Sequence, residues 1–255
     1  MINIHDLRRA LDAGDRRGLF AEGSPEAWRS IRESAFHRPM LAEVREEAEK
    51  LLMEPIAPLT FSLYKLFDET GSRKEYEPAY FHHRLRLNAF AIMTLIDDKP
   101  AYVHALEDAI WAICDEFSWC LPASMGGKSL KPPEPAGGDP FSVGEREHRR
   151  IVDLFAAETA FALAEVLHLA GGRLSAMVVY RARKEIRERV IEPFMAWNDM
   201  FFWEAVSNNW AAVCGGSVGA AAIYLMEDNA SLAPVLDRVL GAMEAFLGGY
   251  GDDGA

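Results

Sequence analysis

Apolar residues recur at intervals of three and four along most of this chain, and strict alternation of apolar and polar residues is nowhere sustained. That period lines one face of an α-helix, whereas a strand repeats every second residue, so a sheet cannot be the main scaffold. The stripe Val235, Leu236, Val239, Leu240, Met243 and Phe246 shows the pattern clearly. With 255 residues, the chain is long enough for one large helical core.

The spacing predicts a surface helix over Pro39–Leu52, ended by Pro55 and Pro58, and then helices in pairs. Residues 1–79 read as N-terminal helices and connections, and residues 80–255 as a run of hairpins. The first hairpin joins Tyr80–Ile96, with Phe81, Leu85, Phe90 and Met93 apolar, to Pro100–Phe117 through the turn Asp97-Asp98-Lys99. The second joins Arg149–Ala170, apolar on nearly all sides, to Ala176–Ile191 across Gly171-Gly172. Ser175 is placed to cap its second member, whose Arg, Lys and Glu residues predict one wet face. The third joins Asn209–Met226, rich in Gly and Ala, to Leu232–Leu247, with Ser231 as its cap. Residues 118–145 are rich in Pro, Gly and Lys and read as a long loop over one end of the fold.

Hairpins recur roughly every 60–70 residues without a strict sequence repeat, which favours an incomplete α/α toroid over a regular solenoid. The whole is expected to be one all-α domain, 1–255, built from antiparallel helical hairpins. A net charge of −12 lacks the basic footprint of a nucleic-acid binder. It also requires that any acidic polymer be met by cations gathered locally, because the overall field opposes it. The N-terminus has no basic segment followed by an apolar run, and charges interrupt the apolar stretches before about 18 residues. These features predict a cytoplasmic protein with no membrane partner. Cys114, Cys120 and Cys214 contain no CxxC pair and read as buried thiols, so neither metal nor cofactor is expected.

Three stretches carry a resemblance. They are Cys114–Ala123 (CDEFSWCLPA), Asp153–Ala160 (DLFAAETA), and Ser207–Ser217 (SNNWAAVCGGS) followed by Gly249–Ala255 (GYGDDGA). From Tyr80 onward the chain resembles the heparinase II/III-like polysaccharide lyases. The resemblance implies an incomplete α/α toroid followed by a β-sandwich domain, with β-elimination at uronate residues of acidic polysaccharides such as heparan sulfate or alginate. It places the carboxylate-neutralising amide at Asn208 or Asn209. It also implies a tyrosine shortly after the glycine stretch and a more distant histidine. Tyr250 lies inside that stretch and is not this tyrosine. The 255 residues are therefore expected to be the N-terminal substrate-binding part, without the β-sandwich and incomplete as a catalyst.

A lyase removes the proton α to a uronate carboxylate, whose charge opposes the step. An amide can donate to the building charge without itself titrating, and a Tyr or His can take the proton. Asn208 and Asn209 precede the Gly- and Ala-rich helix, which equally suits a plain N-cap pair. Trp119, Trp203 and Trp210 are candidates for stacking on sugar faces or for core packing. Arg84, Arg86 and His83 are candidates for meeting substrate acid groups, or for a solvated helix face or ion pairs with Glu77 or Asp97. His82 and His83, being adjacent, point to different helix faces and make no metal pair. An α/α-barrel hydrolase of uronyl sugars would instead need two facing carboxyls among Asp115, Glu116, Glu158 and Glu204. A non-catalytic helical module that binds sugar or protein is the third possibility, and uncovered apolar surface would favour homo-oligomers.

Overall fold

The computed structural model describes residues 3–14, 24–97, 99–125, 130, 147–196 and 200–251. Every regular element among them is helical. In chain order these are α1 (Ile4–Ala13), α2 (Pro25–Glu33), α3 (Arg38–Leu52), α4 (Phe61–Tyr64), α5 (Leu66–Thr70), α6 (Tyr76–Asp97) and α7 (Pro100–Asp115). Then follow α8 (Leu154–Ala170), α9 (Ala176–Ile186), α10 (Glu192–Ala196), α11 (Asn209–Leu225) and α12 (Asn229–Leu247). Asp98 of the expected turn, and 126–129 and 131–145 of the expected loop, lie outside the described residues.

Three boundaries differ from the sequence reading, each for a local reason. α8 begins at Leu154 and not at Arg149, because Asp153 closes its N-terminus: its Oδ1 accepts from the Ala156 N–H at 2.8 Å. α12 begins at Asn229, because Asp228 caps it by accepting from the Ala230 and Ser231 N–H groups at 3.2 and 2.9 Å. Ser231, the expected cap, instead donates its hydroxyl to Asp228 at 2.5 Å. α9 runs on through a π-helical turn, Arg187–Ile191, into α10. Pro193 explains the wider turn: it lacks an N–H and its ring would strike the Arg189 carbonyl in a regular helix.

The chain packs as two compact units. One comprises Arg17–Glu116 and Val166–Ala182. Its centre is the α6–α7 hairpin with α3 against α6, and Leu51, Leu87, Phe90, Met93, Ile96, Leu106 and Ile110 are almost wholly buried. Each such large side chain contributes about 1.5–3 kcal/mol on leaving water. Arg45 grips Asp97 through two bonds of 2.9 and 2.7 Å, which pins α3 to the end of α6 and holds the Asp97 carboxyl below its ordinary range. α6 is apolar on more than one side, and the face expected from its spacing is only partly the buried one. Phe81 and Leu85 are exposed, while Tyr76, Tyr80, His83, Leu87 and Phe90 point inward. Phe117, the expected last residue of α7, lies beyond the helix end and is also exposed.

The other unit comprises Met1–Arg16, Phe117–Glu165 and Arg183–Ala255. Here α11 and α12 form a tight antiparallel hairpin, and the small residues of α11 set their separation. A Cβ on Gly219 would meet Val239 Cγ1 at 3.2 Å, and one on Gly215 would meet Met243 Cε at 2.9 Å. The glycine-rich helix therefore approaches its partner closely, and a branched side chain has no room. Gly219→Val is expected to destabilise the protein by about 1–3 kcal/mol through overpacking, read as a lower urea midpoint with an unchanged slope. The expected wet face at the end of α9 is only partly wet. Arg189 is buried and donates to Glu185 at 2.6 Å, and Arg149 reaches the same carboxylate at 2.7 Å. Burial pushes the Glu185 carboxyl up, but the two arginines outweigh it and hold it below its ordinary value.

By length and composition, the stretch Leu154–Arg173 is apolar enough to cross a membrane, which the sequence reading did not anticipate. Half of it is buried inside the protein, the pattern of a core helix.

Candidate functional site

The most distinctive part of the sequence lies where α11 begins and α12 ends. An antiparallel hairpin brings those two termini to the same end. Gly249 packs so closely there that an added Cβ would lie 2.5 Å from Ser207 Cβ and 2.6 Å from the Ser207 carbonyl oxygen. Ser207-Asn208-Asn209 and Gly249-Tyr250 are 40 residues apart in sequence yet adjacent in space. The rest of the glycine stretch, 252–255, is outside the described residues.

Both amides are exposed. Asn208 is the N-cap of α11, its Oδ1 accepting from the Trp210 N–H at 3.0 Å. Asn209 is the first helical residue, and its side chain bonds to no described residue. Two donor-bearing amides thus stand beside a helix N-terminus, where the backbone adds positive partial charge. Trp210 is half-buried, with its ring 5.2 Å from that of Phe202, which is 63% exposed. Phe202 was missed in the sequence. The 3-10 turn Phe202–Ala205 buries Trp203 and turns Phe202 outward, and the dipeptide Phe201-Phe202 does not reveal which ring faces water.

The other sugar-binding candidates are placed differently. Trp119 and Trp203 are at most 1% exposed, so neither offers a face to a sugar. Trp203 clusters with Phe194 and Phe201, at 5.9 and 5.6 Å, and donates its indole N–H to the Val152 carbonyl at 2.8 Å. Trp119 lies under the Arg189 guanidinium, 4.8 Å from the ring centre. Flat apolar rings suit a core as well as a sugar face, and here the core took both.

Arg84, Arg86 and His83 also turn inward, in the Arg17–Glu116 unit. Arg84 donates to both oxygens of Glu116, with Nη2 to Oε2 at 2.7 Å, and its guanidinium covers the Tyr80 ring at 3.4 Å. His83 lies between Glu116 Oε1 and the Ala57 carbonyl oxygen, 2.8 Å from each. Arg86 is buried and donates to the Glu54 carbonyl at 3.2 Å, with burial pulling its pKa down. The partner of Arg84 is Glu116, not the expected Glu77 or Asp97. The same contacts occupy Glu116, and Arg238 holds Glu204 by two 2.7 Å bonds. Asp115 accepts from Arg181 at 2.5 Å.

The three distinctive stretches share one electrostatic neighbourhood at Asp153. Burial pushes its carboxyl up to about 6, while bonds from the Ala156 N–H, Cys120 and Ser124 pull the other way. Cys120 is raised by burial and then by Asp153, and Cys214 by burial, Asp153 and Glu158. Both thiols are thus held neutral, which makes them poor nucleophiles. The folded Asp153 carboxyl keeps its proton up to a pH of about 6 and the unfolded one only to about 4. Between those values the folded state binds more protons, so this residue's contribution to stability falls as pH rises, by about 3 kcal/mol in all. Asp153→Asn keeps the capping oxygen and removes the charge. Its stability relative to the unsubstituted protein is expected to improve by that amount between pH 4 and pH 8, measured by urea unfolding.

Among the described residues, no group of three or more His, Cys, Asp and Glu side chains is arranged to hold a metal ion. Comparison with known protein families and with curated proteins returns no match.

Proposed function

We propose that this protein is an anionic-polysaccharide lyase of the incomplete α/α-toroid type, in which Asn208 and Asn209 meet the uronate carboxylate. The observation that carries the reading is the contact of Ser207 with Gly249. It joins, at one exposed hairpin end, the two segments of the third stretch on which the family resemblance rests. The hairpins α6–α7 and α11–α12, with small residues on one member of the latter, support the toroid.

The chemistry follows from the residue types. An amide N–H pointed at the carboxylate stabilises the negative charge that builds as the α-proton leaves, and the α11 N-terminus adds charge of the same helpful sign. Trp210 and Phe202 offer apolar surface beside the amides for a sugar ring. The leaving 4-linked sugar takes the electron pair of the broken C–O bond, which leaves a C4–C5 double bond conjugated with the carboxylate. The resemblance assigns the base to a tyrosine or histidine outside the matched stretches.

The test uses the full-length protein with polyuronates and glycosaminoglycans. Ultraviolet absorbance from the conjugated product is expected to rise with time. New reducing ends without that absorbance would make the protein a hydrolase, and binding with neither signal would make it a non-catalytic module.

A further inference from the structure

In the unit Arg17–Glu116 plus Val166–Ala182, a cleft of about 230 Å³ is walled by arginines: Arg29 and Arg32 from α2, and Arg173 from the turn after α8. Trp28, Leu95 and Leu169 supply the apolar part of the wall, and no carboxylate is among the described residues that line it. We propose that this cleft is a binding site for a small oxyanion: a phosphate, sulfate or carboxylate group, either free or carried on a compact sugar-sized body. The proposal does not depend on the lyase reading, which concerns residues of the other unit.

Three like charges around one space repel each other, and the chain as a whole is strongly acidic, so chance would rarely gather them. Arg29 and Arg32 are three residues apart and share a helix face. Two of the three guanidinium groups are anchored to carbonyls in the last turn of α6. Arg32 donates to the Ile96 oxygen at 3.4 Å, and Arg173 donates to the Thr94 oxygen. Anchoring restricts their rotamers, so less entropy is lost when an anion binds. Arg29 makes no bond or ion pair with a described residue. Asp97 is near enough to feel Arg32, but its two oxygens are engaged by Arg45 and it does not line the cleft. The Trp28 indole N–H is buried and has no hydrogen-bond partner among the described residues, which leaves a wall residue with a donor to satisfy. Planar guanidinium groups bind oxyanions through paired N–H donors, and the apolar residues suit the body that bears the anion.

The probes are inorganic phosphate, inorganic sulfate and glucuronate, titrated calorimetrically into the protein at low ionic strength. The indole N–H signals of the protein labelled at tryptophan nitrogen are followed in parallel, with Trp28→Phe identifying the Trp28 signal. One saturable site is expected for at least one probe, weakened by added chloride, with the Trp28 signal shifting along the same isotherm. Phosphate or sulfate binding without glucuronate binding would identify the ligand group as tetrahedral, and the reverse as a carboxylate; either supports the site. Arg29→Gln, at an exposed side chain, is expected to weaken binding at least about tenfold without moving the urea midpoint. Arg173→Gln should weaken it similarly, checked for folding by circular dichroism. No saturable binding of any probe up to about 30 mM, or wild-type affinity in both folded variants, would overturn the proposal.

Discussion

Asn209→Ala is expected to lower the rate of absorbance gain on uronate polymer by about 10²–10³-fold, the usual effect of removing one donor aimed at a developing charge. The unfolding midpoint should stay nearly unchanged, because the Asn209 side chain is exposed and bonds to no described residue. Asn208 separates capping from chemistry. Asn208→Ala removes the acceptor that closes α11 and should cost about 1 kcal/mol of stability as well as activity. Asn208→Ser restores the cap but not the amide, so stability should return while activity stays low. If Asn208→Ser and Asn209→Ala both turn over polymer at the wild-type rate, these residues are only the start of a helix.

Glu116→Ala should be among the most destabilising substitutions in the molecule, at about 3–5 kcal/mol. Glu116 is 4% exposed and answers two inward-facing neighbours, Arg84 and His83. Burial pulls the Arg84 pKa down, and Glu116 reverses the effect and holds it above its ordinary value. Without the carboxylate a guanidinium stays in the interior with no counter-charge from that side. A double variant, Arg84→Met with Glu116→Leu, should recover most of the loss, because an apolar pair of similar volume needs no desolvation of charge. Comparable stability of the single and double variants would show that the pair is not the source of the loss. The same measurement decides what Arg84 is for, since an arginine kept for substrate would not need Glu116 to keep the protein folded.

The helices, and the pairing of α6 with α7 and of α11 with α12, were legible because their signals are local. A 3.6-residue period, Gly171-Gly172 after α8 and Pro100 at the start of α7 act within a few residues of themselves. Helix starts were read less well. Ser231 and Asp228 are both capping residues, and only the geometry shows that Asp228 accepts the bonds. The close packing of α11 on α12 was also readable, since Gly and Ala remove side-chain bulk wherever they occur.

The candidate site divides along the same line. The family resemblance marked Ser207–Asn209 and the glycine stretch, and the residue pattern put the amides at a helix start, because capping is a local property. The sequence could not decide that Trp119 and Trp203 are core, or that Arg84 and His83 serve Glu116. Those outcomes depend on partners far along the chain, 32 residues away for Arg84 and 51 for Trp203. Nor could it decide which apolar face of α6 is buried, or that Arg29, Arg32 and Arg173 line one cleft. Period and composition specify what each helix is. Which neighbour it meets is settled only when all the helices compete to bury their apolar faces and to satisfy the charges they carry inward.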